Sequence, residues 1–341
     1  MYEQKKTAVS SGDSPGWYQN ILQFQRSDRK KALWQLSNTV ALYALSWCLM
    51  VMNFHWFQSI WIHIGIVIVA AGLLIRIFIF FHDCCHQSFF SSRRANTILG
   101  HILGVLTFTP YESWRRSHGI HHNTVSDLDR RGKGDIWTLT VEEYMTRSRF
   151  KRMQYRLFRN PLIMFILGPA YVFLVLYRFP EKGDRHRQIK SLHITNAGIA
   201  AVILAASWLM GWQAYLLAQL PILFLAGVGG IWLFYVQHQF EGVYWARHNA
   251  WDPLKASLEG SSFYQLPKLL QWFSGNIGFH HIHHMRPRIP NYHLQECHKA
   301  LTAREPVVPL KMRDSLRSLR LKLWDEKQNR LVGFGAIKAR G

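Results

Sequence analysis

Nine histidines fall into four short clusters with the spacing of metal ligands. They are His82 and His86 in HDCCH, His118, His121 and His122 in HGIHH, His238 in YVQHQFE, and His280, His283 and His284 in HHIHH. On a helix, separations of three and four residues place imidazoles on one face. Nine nitrogen donors exceed the four that a zinc ion usually takes, so two metal ions sharing the set is the simpler account. Neutral imidazole suits zinc, copper, iron and nickel. Bis-histidine haem ligation leaves most of the set unexplained, and zinc hydrolysis needs about three ligands with one open position. Two irons with positions open to dioxygen use the whole set. Such a pair removes hydrogen from an unactivated C–H bond, which no side chain alone can do.

Carboxylates should orient these imidazoles through their outer nitrogens. The candidates are Asp83, Glu112, Asp127, Asp129, Asp135 and Glu241, of which two or three are expected to serve. Asn276, four residues before His280, reads equally as a ligand acting through water or as a helix cap. His281 lies one residue off the face shared by its neighbours and is left out. His55, His63, His101, His186, His193, His248, His293 and His298 are read as ordinary core or surface residues. Cys84 and Cys85 read as packing residues. With Cys48 and Cys297 they form no spaced disulfide framework.

The elements that must position the histidines are legible in the charges. No Lys, Arg, Asp or Glu lies between Lys31 and Arg76, or between Lys190 and Glu241. Each gap is long enough for two helices of about 20 residues, the length that crosses a bilayer core. The expected spans are 34–53, 59–80, 192–210 and 214–236, with Arg76 near a span end, where it can snorkel to the headgroups. The turns inside each pair carry no Lys or Arg, whereas the polar stretches carry many. By the positive-inside rule the turns face outward, and both termini and the central loop face the cytoplasm. A fifth apolar segment, 160–177, has basic residues on both flanks and contains Pro161 and Pro169. If it crossed, His238 would lie on the opposite side from His82 and His118. It is therefore read as re-entrant or interfacial, and 96–110 likewise.

The fold class expected is all-α integral membrane, a single domain over 1–341. Four transmembrane helices form two hairpins, and a cytoplasmic helical cap, 81–190 and 237–341, holds the metals. A mean hydropathy of -0.06 suits a few spans with a large polar cap. The net charge of +21 is read as a basic face against anionic lipid rather than as a nucleic-acid site. It would also attract an acidic electron carrier. Residues 310–329 alternate Lys/Arg with Leu316, Leu319, Leu323 and Trp324 and read as a basic amphipathic helix, on the membrane or packed on the cap. The stretch 1–31 is polar, without the apolar run of a secretory signal. A metal transporter would place ligands along a path through the bilayer, and these spans hold almost none.

With these motifs in view, the chain resembles the membrane fatty acyl desaturases. HDCCH, HGIHH and HHIHH match that family's three histidine boxes, and Gln237-His238 matches its extra ligand position. RIFIFFH from Arg76, RGKGDIW from Arg131, GSSFYQLPKLLQW from Gly260 and IPNY from Ile289 look like the bacterial acyl-lipid desaturases, so the likeness covers about residues 30–330. The resemblance implies two iron ions held by the nine histidines, dioxygen, and two electrons from a separate carrier. It implies a cis double bond placed in a long acyl chain, in lipid of a bacterial cell membrane. Δ5 is the first expectation for its position and Δ12 the next. The sister reaction, a di-iron lipid, carotenoid or alkane hydroxylase, is the alternative. Animal relatives carry an Asn one turn before the lone histidine, where Phe234 stands here. The His-Pro-Gly-Gly motif of a fused cytochrome b5 is absent, so the donor is expected to be a ferredoxin or flavodoxin. The acyl chain would lie in a bent apolar tunnel whose depth selects the carbon. Candidate liners are Trp114, Trp137, Trp232, Phe234, Tyr235 and Trp272, each of which reads also as ordinary packing.

Overall fold

The computed structural model describes residues 19–303 and 307–338. Residues 1–18 of the polar N-terminal stretch therefore lie outside the described residues. The first charge-free run folds as α1 (Arg29–Met52), continued by a π-helical turn to Phe57, and α2 (Ile60–Cys85). Asp28 caps α1 by accepting from the amides of Lys30 and Lys31. Gln58, in the left-handed region at φ 47°, reverses the chain, and Ser59 caps α2. The second run folds as α7 (His186–Met210) and α8 (Trp212–His238), joined at Gly211. These four helices are long and apolar enough to cross a membrane. Their outward faces expose Trp61, Leu204 and Trp208, as lipid-facing surfaces do.

The helices run further than the expected spans. Two of them run on into the histidine clusters. α2 continues through His82 and α8 ends on His238, so one rigid rod carries both an apolar stretch and a candidate ligand. α2 is the central rod. It packs on α1, on α8 and on α3 (Arg93–Leu106), which takes up most of the 96–110 segment and also lies on α7. α4 (Tyr111–Thr124) follows and packs across α7.

Arg76 corrects one expectation. It does not reach outward, being only 3% exposed. Its Nε donates to Thr39 Oγ1 at 3.1 Å, its Nη1 donates to the Trp272 carbonyl, and its guanidinium stands 4.3 Å over the Trp272 ring. A guanidinium in apolar surroundings is tolerable when its donors are taken and an aromatic face covers it. Arg76 thereby pins α10 (Lys268–Phe273), which precedes the last histidine cluster, to α2.

Between Thr124 and His186 lie β1 (Leu139–Thr140), α5 (Val141–Thr146) and α6 (Arg149–Phe158). The fifth apolar segment follows as a run of π and 3-10 turns over 163–178. It is bent by 60° from α6. Counted with α6 as one unit it would make a fifth candidate span. The C-terminal part contains α9 (Pro253–Leu258), β2 (Phe263–Gln265), α11 (His280–Met285), α12 (Asn291–Thr302) and β3 (Pro309–Lys311). β2 and β3 pair in parallel.

The amphipathic helix expected over 310–329 is not formed. Two short helical turns over 312–320 lead into β4 (Leu323–Asp325), which pairs in parallel with β1 and antiparallel with β5 (Arg330–Val332). Leu323 and Trp324 are consecutive and both buried. A strand buries neighbours in this way only when both its faces are covered, and that covering comes from distant Leu139, Tyr144 and Tyr155 on one side and Trp245 on the other. Among the described residues the fold is thus predominantly helical with two small sheets.

α3 and α4 approach closely where Gly100 faces Tyr111. A Cβ on residue 100 would stand 2.2 Å from the Tyr111 ring. The ring cannot retreat, because its hydroxyl donates to the Cys84 carbonyl at 2.9 Å and accepts from Gln87 Nε2 at 2.8 Å. Gly100→Ala is therefore expected to cost about 1–3 kcal/mol. Gly65→Ala, which meets nothing within 4 Å, should cost nothing. Thermal unfolding of the two detergent-solubilised variants, followed by tryptophan fluorescence, checks the contrast.

Candidate metal centre

Four separate segments bring the nine imidazoles together. α2 presents His82 and, at its end, His86. α4 presents His118, His121 and His122, α8 presents His238, and α11 presents His280, His283 and His284. Their nitrogens form two groups. His82, His86, His118, His122 and His283 make one, and His121, His238, His280 and His284 the other, with the nitrogens of each within 4.8 Å of one another. The groups adjoin, since the His122 and His284 rings are 4.3 Å apart. His281, although in the same cluster by sequence, turns away and contacts His298 at 3.1 Å. A small cavity lined by Ser126, Asp135, Phe234, Trp245 and two imidazoles lies beside the group of four.

The spacing of the nitrogens identifies what the site is built for. In the first group Nε2 of His283 lies 2.9 Å from Nε2 of both His82 and His122, and His122 Nε2 lies 3.0 Å from His118 Nε2. In the second, His238 Nε2 is 3.2 Å from His121 Nε2 and 3.0 Å from His280 Nε2, and His280 Nε2 is 3.1 Å from His284 Nε2. A neutral imidazole nitrogen carries either one proton or one lone pair, so it serves a single partner. His122, His238, His280 and His283 each face two. These contacts cannot all be hydrogen bonds. They match neighbouring corners of a coordination shell, where bonds of about 2.1 Å at right angles leave about 3 Å between donors. The residues present therefore fit two metal ions.

Burial keeps the donors in the required form. Loss of hydration holds His86, His118, His122, His280, His283 and His284 well below the ordinary imidazole range, and neighbouring imidazoles add to the effect. Neutral rings with free lone pairs are what a cation needs.

Two of the six candidate carboxylates reach imidazoles of the nine. Asp135 accepts from His121 Nδ1, and Asp83 accepts from His82 Nδ1 at 3.2 Å. Each bond fixes the tautomer that leaves Nε2 free to bind. Gly134, with φ of 76°, makes the Asp135 contact possible. A Cβ there would lie 2.9 Å from the Ser117 carbonyl and 3.1 Å from the His121 Cβ, so only glycine lets this loop lie against α4. The other four carboxylates are engaged elsewhere. Glu112 pairs with Arg187 at 2.7 Å, Asp127 bonds His248 at 2.8 Å, Asp129 pairs with Arg247, and Glu241 approaches Arg317. Asn276 sits in a left-handed turn and donates to the Asn291 carbonyl at 3.2 Å.

Of the aromatic candidates, Trp114 stacks on His118 with centroids 4.3 Å apart, and Phe234 lies 5.2 Å from both His121 and His238. The others lie off the imidazoles. Trp137 packs on Tyr155 and Phe158, Trp232 on Phe165 and Tyr235, and Trp272 under Arg76. The buried Tyr235 donates its hydroxyl to the Ser318 carbonyl.

Three supporting groups escaped the sequence reading. Asn291 donates twice to Asp83 Oδ2, at 2.7 Å from its amide and 2.9 Å from its side chain, and stands in the IPNY motif that hinted at it. The Gly260 carbonyl faces His238 Nδ1 at 3.2 Å. Arg159, fully buried, donates to the Trp137 carbonyl, to Thr138 Oγ1, to Gln239 Oε1 and to the Leu321 carbonyl. It ties the residues beside Asp135 to the residue after His238. No sequence signal distinguished it from the basic residues around it.

A helical fold with four candidate membrane spans and a buried, histidine-walled candidate metal site defines the class of protein. The family model "Fatty acid desaturase" matches residues 58–315, and the chain belongs to that family. It is 48% identical to the "Fatty acid desaturase" of Bacillus subtilis (strain 168) over 318 residues, which is 93% of this chain and 90% of that one. An "sn-1 oleoyl-lipid 12-desaturase" of Anabaena variabilis is 23% identical over 81% of this chain and 77% of its own length. An "sn-2 acyl-lipid omega-3 desaturase (ferredoxin), chloroplastic" of Arabidopsis thaliana is 27% identical over 70% of this chain and 55% of its own length.

Removing an orienting carboxylate typically costs 10–100-fold in metal affinity. Asp135→Asn is expected to fall in that range, whereas Asp129→Asn should bind as the parent does; competition with a chelating dye measures both. Acid gives a second test. The unfolded chain takes up protons below about pH 6.5, where burial holds the six imidazoles named above neutral in the folded metal-free protein. His298 and His281, pushed down by burial to about 4 and about 3, extend this to lower pH. Metal-free protein should therefore lose stability progressively as pH falls from about 6.5 toward 4, read as a falling unfolding temperature.

Proposed function

We propose that this chain is an oxygen-dependent acyl-lipid desaturase that introduces a cis double bond into a long acyl chain of membrane lipid, at Δ5 or Δ12. The observation that carries the reading is the pair of adjoining imidazole groups with donor spacings near 3 Å. His82, His86, His118, His122 and His283 would hold one iron ion, and His121, His238, His280 and His284 the other. The bound pair supplies oxidation of unactivated C–H bonds with dioxygen and two electrons.

The remaining roles belong to the chain. Asp83 and Asp135 hold the outer protons of His82 and His121, which keeps their inner nitrogens free. Trp114 and Phe234 shield imidazoles with apolar rings and are the aromatic residues best placed to face a hydrocarbon chain. Exclusion of water by such walls protects the oxidant for the substrate. The methylenes of an acyl chain are nearly equal in reactivity, so the position of the double bond follows from how far the chain is admitted.

Lipid-bound substrate is supported by the names of the Anabaena and Arabidopsis relatives, and Δ12 by the former. An acidic ferredoxin or flavodoxin as electron donor agrees with the net charge of +21 and with the Arabidopsis name. The α1–α2 and α7–α8 hairpins would turn on the outer side of a bacterial membrane, since neither turn carries Lys or Arg. The cap and metal site would then be cytoplasmic.

The test is a fatty-acid profile, by gas chromatography–mass spectrometry with derivatives that locate double bonds, of a bacterial host expressing the chain. A new cis-unsaturated acid is expected, with none from His121→Ala. A hydroxylated lipid would assign the sister reaction. Normal product and iron content in His121→Ala would overturn the site.

A further inference from the structure

No Asp or Glu occurs between Glu143 and Glu181, while six arginines and one lysine do. α6 lies in this stretch and has two unlike faces. Its inner face is locked into the cap. Tyr155 is fully buried, accepts from the Leu139 amide at 3.2 Å and donates to the Lys322 carbonyl. Arg159, just past the helix end, makes the four bonds described above. This inner anchoring fixes which way the outer face looks. There Phe150, Met153 and Leu157 recur at helical spacing and are 61%, 50% and 48% exposed. Arg149 and Lys151, both exposed, flank the apolar stripe on its two sides. The stripe continues into Leu162, 71% exposed, and then into the apolar 163–178 segment.

We infer that α6 docks the cap onto the anionic headgroup layer of the bilayer, with its apolar stripe among the acyl chains and its basic flanks among lipid phosphates. This rests on the reading of the chain as a membrane protein. An apolar stripe between basic flanks is the pattern that lies in a membrane interface, with the long cationic side chains extended to the phosphates. Lipid fits this face better than protein does. An acidic carrier would match the charges but leave the stripe and its continuation uncovered. A second copy would set two acid-free basic stretches against each other. Because the inner face of α6 is bonded beside Asp135 and His238, the docked helix also sets the height of the metal site above the acyl chains.

The test uses the full chain with Cys48, the exposed cysteine, changed to Ser; Cys84, Cys85 and Cys297 are buried. Single cysteines replace Phe150, Met153 or Leu157 and carry an environment-sensitive dye. Leu204→Cys in α7 marks the bilayer and Glu142→Cys in α5 marks the aqueous side. The variants enter nanodiscs of phosphatidylcholine, with or without phosphatidylglycerol, containing lipid spin-labelled on the acyl chain. Quenching at 150, 153 and 157 should approach that at 204 and exceed that at 142 several-fold. It should strengthen with phosphatidylglycerol, and Arg149→Gln with Lys151→Gln should abolish that strengthening. Quenching at 204 alone would overturn the inference and leave the membrane reading standing. Absence of quenching at 204 as well would overturn both. Equal quenching in the two lipid mixtures would overturn the anionic preference.

Discussion

The structure turns on nine imidazoles that cannot satisfy one another. Each nitrogen in the two groups has one proton or one lone pair, yet several face two neighbours at about 3 Å. Enclosing so many polar rings is unfavourable unless something accepts their lone pairs. Cations bound there would do so and would turn the cost into binding energy, which would couple folding of this region to metal loading. Much of the surrounding structure follows from this. Burial holds six of the rings neutral, and carboxylates at the outer nitrogens of His82 and His121 fix the tautomers that point their lone pairs inward.

Such a site demands that distant segments arrive together with little freedom. Two long helices meet that demand by not ending at the expected boundary. α2 and α8 carry His82 and His238 as extensions of their apolar stretches, so the rods that pack against each other also set two walls of the site. Arg76 and Trp272 fasten the approach to α11 onto α2. Arg159 performs the equivalent task on the other side, holding the loop that carries Asp135 against the end of α8. Both arginines are buried and bonded to neutral acceptors. The cost of such charges is met by geometry that serves the site.

Much was legible beforehand because the signals are local. Charge-free runs marked the four candidate spans, since long uncharged stretches are a simple consequence of an apolar solvent. Ligand spacing marked the nine histidines, because helical geometry relates i, i+3 and i+4. The same geometry set His281 apart from its neighbours. Choosing among carboxylates was harder. Asp127 and Asp129 are nearer in sequence to the second cluster than Asp135 is, yet only Asp135 is turned toward it, by a loop whose path depends on Gly134. The C-terminal region misled for a related reason. Leu316, Leu319 and Leu323 have helical spacing, but the partners that make Leu323 a strand residue lie near residue 139.

By itself, the amino-acid sequence determined which residues could act as ligands, how many spans were possible and which family the chain resembles. Each of these depends on residue type and short-range periodicity. Tertiary structure decided how the nine histidines divide into five and four, which two carboxylates support them, where Arg76 and Arg159 spend their charge, and that 323–332 is a hairpin of strands. These depend on contacts between residues tens to hundreds of positions apart. No local rule encodes such contacts, because their free energy exists only once both partners are buried together.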